Sequence, residues 1–180
     1  GIRAGFIGLM LVIACMAGYY LFGGSIADVA LLMNLLFTLA IMAALRATFT
    51  LPGIAGAILT IGMSVDANVL IFERIREEQQ RGTAIRTAIK NGYEKAFTAI
   101  FDSNLTTVIS AAILYWVGSE DIKGFAIVLM LGLVSNLFTA VFVTRVIFDW
   151  LVSKKLIKER LIMLQLIRRP NINWMGFRPV

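Results

Sequence analysis

Five stretches of about 20 mainly apolar residues, at 4–22, 26–45, 53–72, 98–117 and 124–151, dominate this chain of 180 residues. Each is long enough to cross a bilayer as a helix. Inside hydrocarbon every backbone N–H and C=O must find a partner within the protein, so each stretch is expected to be helical. The expected fold is therefore an all-α polytopic membrane protein. Hydrophobic residues make up 59% of the chain, and a soluble core of this size could not hide that much apolar surface. Gly23-Gly24 and Leu51-Pro52-Gly53 are read as breaks between the first three spans. Pro52 stands at a helix entry, where its missing N–H is harmless. The last span has the length to tilt or to project beyond the hydrocarbon. No signal-peptide pattern is present. The chain opens at Gly1 rather than Met, so further sequence is expected upstream.

A net charge of +6 would suit a nucleic-acid ligand, but the basic residues lie between apolar spans, where they set membrane orientation and meet lipid headgroups. No nucleic-acid partner is expected. With five spans, Arg3, Arg46 and Lys123 fall on one side. Arg74, Arg76, Arg81, Arg86, Lys90 and Lys95 fall on the other, with Lys154, Lys155, Lys158, Arg160, Arg168, Arg169 and Arg178 of the tail. Three against thirteen, leaving aside Arg145 within the last span, puts the richer side in the cytoplasm. The N-terminus is then periplasmic and the C-terminus cytoplasmic, in a bacterial inner membrane. Cys15 is the sole cysteine; it excludes a disulfide within the chain and is read as packing.

The segment 73–95 has helical periodicity. Thr83 follows Gly82 and can cap a helix, and Ile85, Ala88, Ile89, Gly92 and Ala96 recur at three- and four-residue steps. This predicts an amphipathic helix over about 83–96 lying along the cytoplasmic face. Residues 1–155 form the expected bundle, and 156–180, with Pro170 and Gly176, reads as a linker into another domain.

Ionisable groups inside a spanning helix carry a penalty of about 2.5–3.5 kcal/mol each at mid-membrane. Asp66 lies seven residues before Glu73, so about 10 Å of helix separates it from the charged edge. Its side chain is too short to snorkel out. It must be protonated, paired or facing internal water, and it is the leading candidate for a titrating group in an ion pathway. Asp102, seven residues after Lys95 on the next, antiparallel helix, falls at a similar depth. It is a second candidate, or alternatively a helix anchor near the edge. Ser103, Thr106, Thr107 and Ser110 make a hydroxyl row beside it, suited to carboxyl groups and water or to plain helix–helix bonding. Gly56, Thr60 and Ser64, with Gly62, form a small-residue stripe that predicts close helix packing. Asn68 projects roughly opposite Asp66 and should bond a different neighbour. Asn34 and Asn136 are read as interhelical hydrogen bonds. Arg145 precedes Asp149 by four residues, the spacing of a surface ion pair, with a place in the proton path as the alternative.

The sequence contains no His, which removes Ser-His catalysis and His-rich metal sites. Neither a phosphate-binding loop nor a dinucleotide fingerprint occurs. No enzyme activity, cofactor or metal is expected, and the energy for any work must come from an ion gradient or a partner.

The block 50–78 (TLPGIAGAILTIGMSVDANVLIFERIREE) closely resembles the signature of the SecD family. Residues 101–107 (FDSNLTT) are similar to the start of the next SecD helix, and 124–132 and 142–145 continue the likeness. The tail 164–176 resembles the opening of SecF, as in a fused SecDF. The resemblance implies a resistance–nodulation–division-type half of six helices, five of them in this chain. It implies partners in the SecYEG channel, the SecF half and the translocating preprotein, and use of the proton or sodium gradient in late preprotein export. By that likeness Asp66 is the membrane aspartate of the SecD half. Three alternatives remain: a drug or lipid transporter of the same superfamily, an intramembrane aspartyl protease built on Asp66 and Asp102, and a passive assembly scaffold.

Overall fold

The computed structural model of the protein describes residues 2–44 and 50–154. Arg46 and the basic residues from Lys155 onward, used above for orientation, lie outside the described residues, as does the expected linker 156–180.

Every described element is helical. The order is α1 (Ile2–Tyr20), α2 (Phe22–Ala44), α3 (Leu51–Gln80), α4 (Ile85–Val117), α5 (Glu120–Leu137), a π-helical stretch (Phe138–Val143) and α6 (Thr144–Ser153). α5, the π stretch and α6 run on as one rod, so five helices are long and apolar enough to cross a membrane. Their outer faces remain apolar: Phe6, Leu11, Leu36, Ile113, Phe142 and Trp150 are all exposed. An apolar exterior of this kind needs lipid rather than water around it. The helices alternate in direction. One end of the bundle, the basic end, gathers the α1–α2 turn, the α3–α4 turn and the end of α6.

α3 is the central helix, packed most closely on α5 and α4. Thr50 starts it: its side chain accepts a hydrogen bond from Gly53 N at 3.1 Å, with Pro52 in the first turn. Gly53, Gly56, Thr60, Ser64, Ala67, Asn68 and Ile71 then form one buried stripe. Opposite them Gly124 sits under Thr50, Phe125 and Val128 touch Gly56, and Gly132 sits under Thr60. A Cβ added at Gly132 would come 2.7 Å from Thr60 Oγ1. Small residues on both helices thus let the two backbones approach.

Two expectations about helix ends are corrected. The break between α1 and α2 is one residue, Leu21, with φ +48°. Gly23 and Gly24 lie inside α2 and are buried. Gly24 is there for contact: a Cβ on it would collide with the Met16 carbonyl of α1. The second correction concerns 83–96, which is not a separate helix along the membrane face. α3 and α4, of 30 and 33 residues, reach about 45 and 50 Å at 1.5 Å per residue, against a hydrocarbon core of about 30 Å. The pair therefore projects beyond the core at the basic end as a helical hairpin. The periodic face of 85–96 packs on α3 instead of lipid, with Gly92 against Ile75 and Ala88, Ile89, Tyr93 and Ala96 buried. Thr83 does not cap α4, whose cap position is Ala84 without a side-chain bond. Thr83 N donates to Glu78 O at 3.2 Å and Gly82 N to Gln79 O at 3.0 Å, with Gly82 at φ +82°. That is the Schellman closure of α3.

Substituting Gly132 or Gly92 with Val should destabilise the full-length protein by about 1–3 kcal/mol, the usual range for overpacking. Gly18→Ala, with nothing within 4 Å of the added methyl, should be neutral or mildly stabilising. Thermal unfolding in detergent, comparing the three variants, measures this ordering.

Candidate functional site

α3 presents Asp66 to a cleft against α4. Met63, Ala67, Leu70, Ile100, Ser103, Asn104 and Thr107 complete the lining, and the cleft holds about 190 Å³. Asp66 itself is exposed. Ser103, Asn104 and Thr107 are the polar residues that share its cleft. Ser103 Oγ donates to Ile100 O at 3.0 Å and Thr107 Oγ1 to Ser103 O at 2.9 Å. Each hydroxyl spends its hydrogen on the backbone, which leaves only lone pairs for the cleft. Asn104 Nδ2 is buried and has no partner among the described residues. The cleft therefore carries acceptors that suit a protonated carboxyl, water or a cation, and a free donor that suits an ionised carboxylate.

Asp102 is exposed and does not line this cleft. Spacing gives depth along a helix but not direction around it, and no two-carboxylate dyad is assembled. Thr106 and Thr107 were expected to bond between helices. Both turn back on α4, Thr106 Oγ1 donating to Asp102 O and Thr107 Oγ1 to Ser103 O, each at 2.9 Å. Ser110 does the same toward Thr106 O. Gly62 leaves the packing stripe: it is exposed, and a methyl group in place of its hydrogen would touch nothing, because it lies one turn from Asp66 on the open face of α3. Gly56, Thr60 and Ser64 are buried. Asn68, Asn34 and Asn136 are buried too. Yet both polar side-chain atoms of Asn68 and of Asn136, and Asn34 Oδ1, lack hydrogen-bond partners among the described residues. Arg145 and Asp149 do not form the expected pair within 4 Å. Both line a second cleft at the basic end with Arg86, Thr87 and Lys90, away from Asp66.

Two residues of interest are not singled out by the sequence pattern. Asn104 stands one turn from Ile100 in the FDSNLTT segment, overshadowed there by its hydroxyl neighbours. Asp28 is a half-buried acid within α2, and its signal in the sequence is a carboxylate inside an apolar run.

At the basic end a charged junction locks α3 to α4. Glu78 is nearly closed off, at 6% side-chain exposure, and accepts from Lys95 Nζ at 2.6 Å, Asn91 Nδ2 at 2.9 Å and Arg81 at 3.3 Å. The Asn91 amide and the Lys95 ammonium hold its carboxyl below the usual glutamate range. α1 is tied to the same region through Tyr20, which donates to Glu73 at 3.1 Å, and Tyr19, which accepts from Arg76 at 3.2 Å.

A bundle of five helices long and apolar enough to span a membrane, drawn together at small residues and carrying a carboxyl in a cleft it shares with Ser103, Asn104 and Thr107, defines a multi-pass helical membrane protein. The family described as protein export membrane protein SecD/SecF, C-terminal, matches residues 2–154, and the chain belongs to it. The SecD protein translocase subunit of Rhodothermus marinus is 58% identical over 155 residues, covering 86% of this chain and 25% of that protein. The SecD subunit of Syntrophobacter fumaroxidans is 52% identical over 158 residues, covering 88% and 30%. The crystal structure of SecDF from Thermus thermophilus, described as a translocon-associated membrane protein, matches with TM-score 0.88 and 35% identity. That match covers 97% of this chain and 24% of that one. The chain thus spans about a quarter to a third of its relatives' length.

Because the folded state lowers the Glu78 pKa, the junction's contribution is complete above the ordinary glutamate value of 4.5. It is lost as pH falls through the lower, folded value. Thermal unfolding of the full-length protein as a function of pH should show an acid-side fall in Tm that Glu78→Gln reduces, together with a lower Tm for that variant at neutral pH.

Proposed function

We propose that this chain is the membrane part of a SecDF-type accessory component of the Sec translocase, coupling the proton or sodium gradient to late steps of preprotein export. The observation that carries this is the Asp66 cleft: a carboxyl within a spanning helix, beside hydroxyl acceptors on one hand and the Asn104 donor on the other. Family membership and the naming of the relatives as translocase subunits support the Sec assignment. The partners that follow are the SecYEG channel, the SecF half and the preprotein itself.

In this reading the basic end faces the cytoplasm of a bacterial inner membrane and the Thr50 and Gly118 end faces outward, by the excess of Lys and Arg. An ion entering from outside neutralises Asp66 and removes the penalty of about 2.5–3.5 kcal/mol for a charge at mid-membrane. Its release to the cytoplasm restores the charge. Each elementary charge crossing 100 mV supplies about 2.3 kcal/mol, so a few ions suffice to exchange two packings of a bundle. Asp66 is the titrating group, and Ser103, Asn104 and Thr107 are the groups that meet it in its two states. Asp102 and Arg145 keep at most secondary places along the ion path, since neither reaches this cleft. The exposed side of Asp66 is where the second half of the parent protein would close over it.

Asp66→Asn in the full-length protein should abolish gradient-dependent release of a translocating substrate from membrane vesicles, while assembly in the membrane is preserved. Asn104→Leu should weaken the same release without abolishing it. Unimpaired release in Asp66→Asn would remove the acid from the mechanism. Ion flux in the same vesicles, with proton and sodium gradients imposed separately, distinguishes the coupling ion.

A further inference from the structure

The face of α3 opposite the Asp66 cleft is buried against α5, and it is polar. The stripe Thr60, Ser64, Asn68 meets Gly132, Asn136 and Ala140 in parallel register, fixed by the Thr60–Gly132 contact. Carrying that register one turn toward the basic end puts Ser64 level with Asn136. One further turn puts Asn68 level with Ala140, whose methyl leaves room beside it. Ser64, Asn136 and Ala140 are fully buried and Asn68 is 1% exposed. Ser64 Oγ, both carboxamide atoms of Asn68 and both of Asn136 have no hydrogen-bond partner among the described residues. Five orphaned polar atoms on two facing helices, within about one turn of each other, are a large burden for an apolar zone. Each one left unpaired bears the full desolvation penalty of its group.

We infer that this interface between α3 and α5 holds an internal water site, built by Ser64, Asn68 and Asn136. A buried water makes about three hydrogen bonds, so one or two molecules would satisfy the set. The mixture of groups selects water over a cation. Two carboxamide NH₂ groups need an acceptor, which water supplies and a metal ion does not. No carboxylate, His or Cys cluster that could hold a metal occurs among the described residues. The backbone supports the same location: the rod changes to a π-helical stretch at Phe138, two residues after Asn136, and such stretches loosen the regular ladder. Thr139 Oγ1 donates to the carbonyls of Ser135 and Asn136, so its own hydrogen is already committed, while Ser135 Oγ is a further buried atom without a partner among the described residues. α3 is thereby hydrated on both faces at the level of Asp66, openly toward α4 and in a sealed site toward α5. The water site does not depend on what the chain transports.

The test is density for the full-length protein in nanodiscs at a resolution where ordered water is visible. The expected result is one or two solvent peaks 2.7–3.2 Å from atoms of both Asn68 and Asn136, roughly the hydrogen-bonding range. The two carboxamides bonded directly to each other without a peak between them would overturn the site. So would a peak coordinated at cation distance by oxygens alone. Thermal unfolding supplies a second measure. Asn136→Leu alone should lower Tm, because it strands Asn68 and its water, and adding Asn68→Leu should recover part of the loss. Losses that simply add would reject a shared polar site.

Discussion

The close approach of α3 to α5 is the contact on which the rest of the bundle depends. In lipid there is no hydrophobic force to press helices together, so association rests on van der Waals packing and on polar groups that have no better partner. Gly53, Gly56, Gly124 and Gly132 remove the side chains that would hold these two rods apart. With α5 on one face and α4 beside it, α3 keeps one open face, where Gly62 and Asp66 are exposed. It can then carry an acid on one face and amides on the other.

The spans were legible because length and hydropathy are all that a bilayer asks of a helix. Their ends were not. Gly23-Gly24 looks like punctuation, and the residues would serve equally as a turn or as a place for another backbone. Only the neighbour decides, and the neighbour is the Met16 carbonyl. The amphipathic run from Ile85 to Ala96 has the same ambiguity: a three-four period marks a face to be covered without saying whether lipid or protein covers it. One clue was available. No Gly or Pro stands between Lys95 and Thr98, so nothing stops a helix begun at Ile85 from continuing into the span.

The site was legible in part, for a related reason. Counting residues from a charged edge gives depth, and depth placed Asp66 beside the level of Asp102. Azimuth needs the partner helix. Asp102 turns outward while Ser103, Asn104 and Thr107 of the same segment turn toward Asp66, a difference of one or two residues that spacing alone cannot resolve. Thr and Ser in spanning helices were expected to bridge helices, but a hydroxyl can always reach its own carbonyl one turn back. Thr60, Thr106, Thr107 and Ser110 all do so. The amides of Asn68 and Asn136 have no such local outlet and are left without partners among the described residues, together with Ser64 Oγ and Ser135 Oγ, which do not turn back.

The Glu78 junction adds a mechanical condition. It lies twelve residues beyond Asp66 on α3, about 18 Å along the axis, and joins the same two helices that flank the cleft. Gly92 against Ile75 locks them again between the two points. α3 and α4 are therefore clamped at the basic end, and the cleft that holds Asp66 opens between them beyond that clamp. On its far side α3 meets α5 through small residues and unpaired amides instead of interlocked large side chains. α3 is thus held at both ends, by Glu78 and Gly92 at the basic end and by Gly53, Gly56 and Thr60 against α5 at the other, and its open face lies between them. That is the place where this sequence sets its acid.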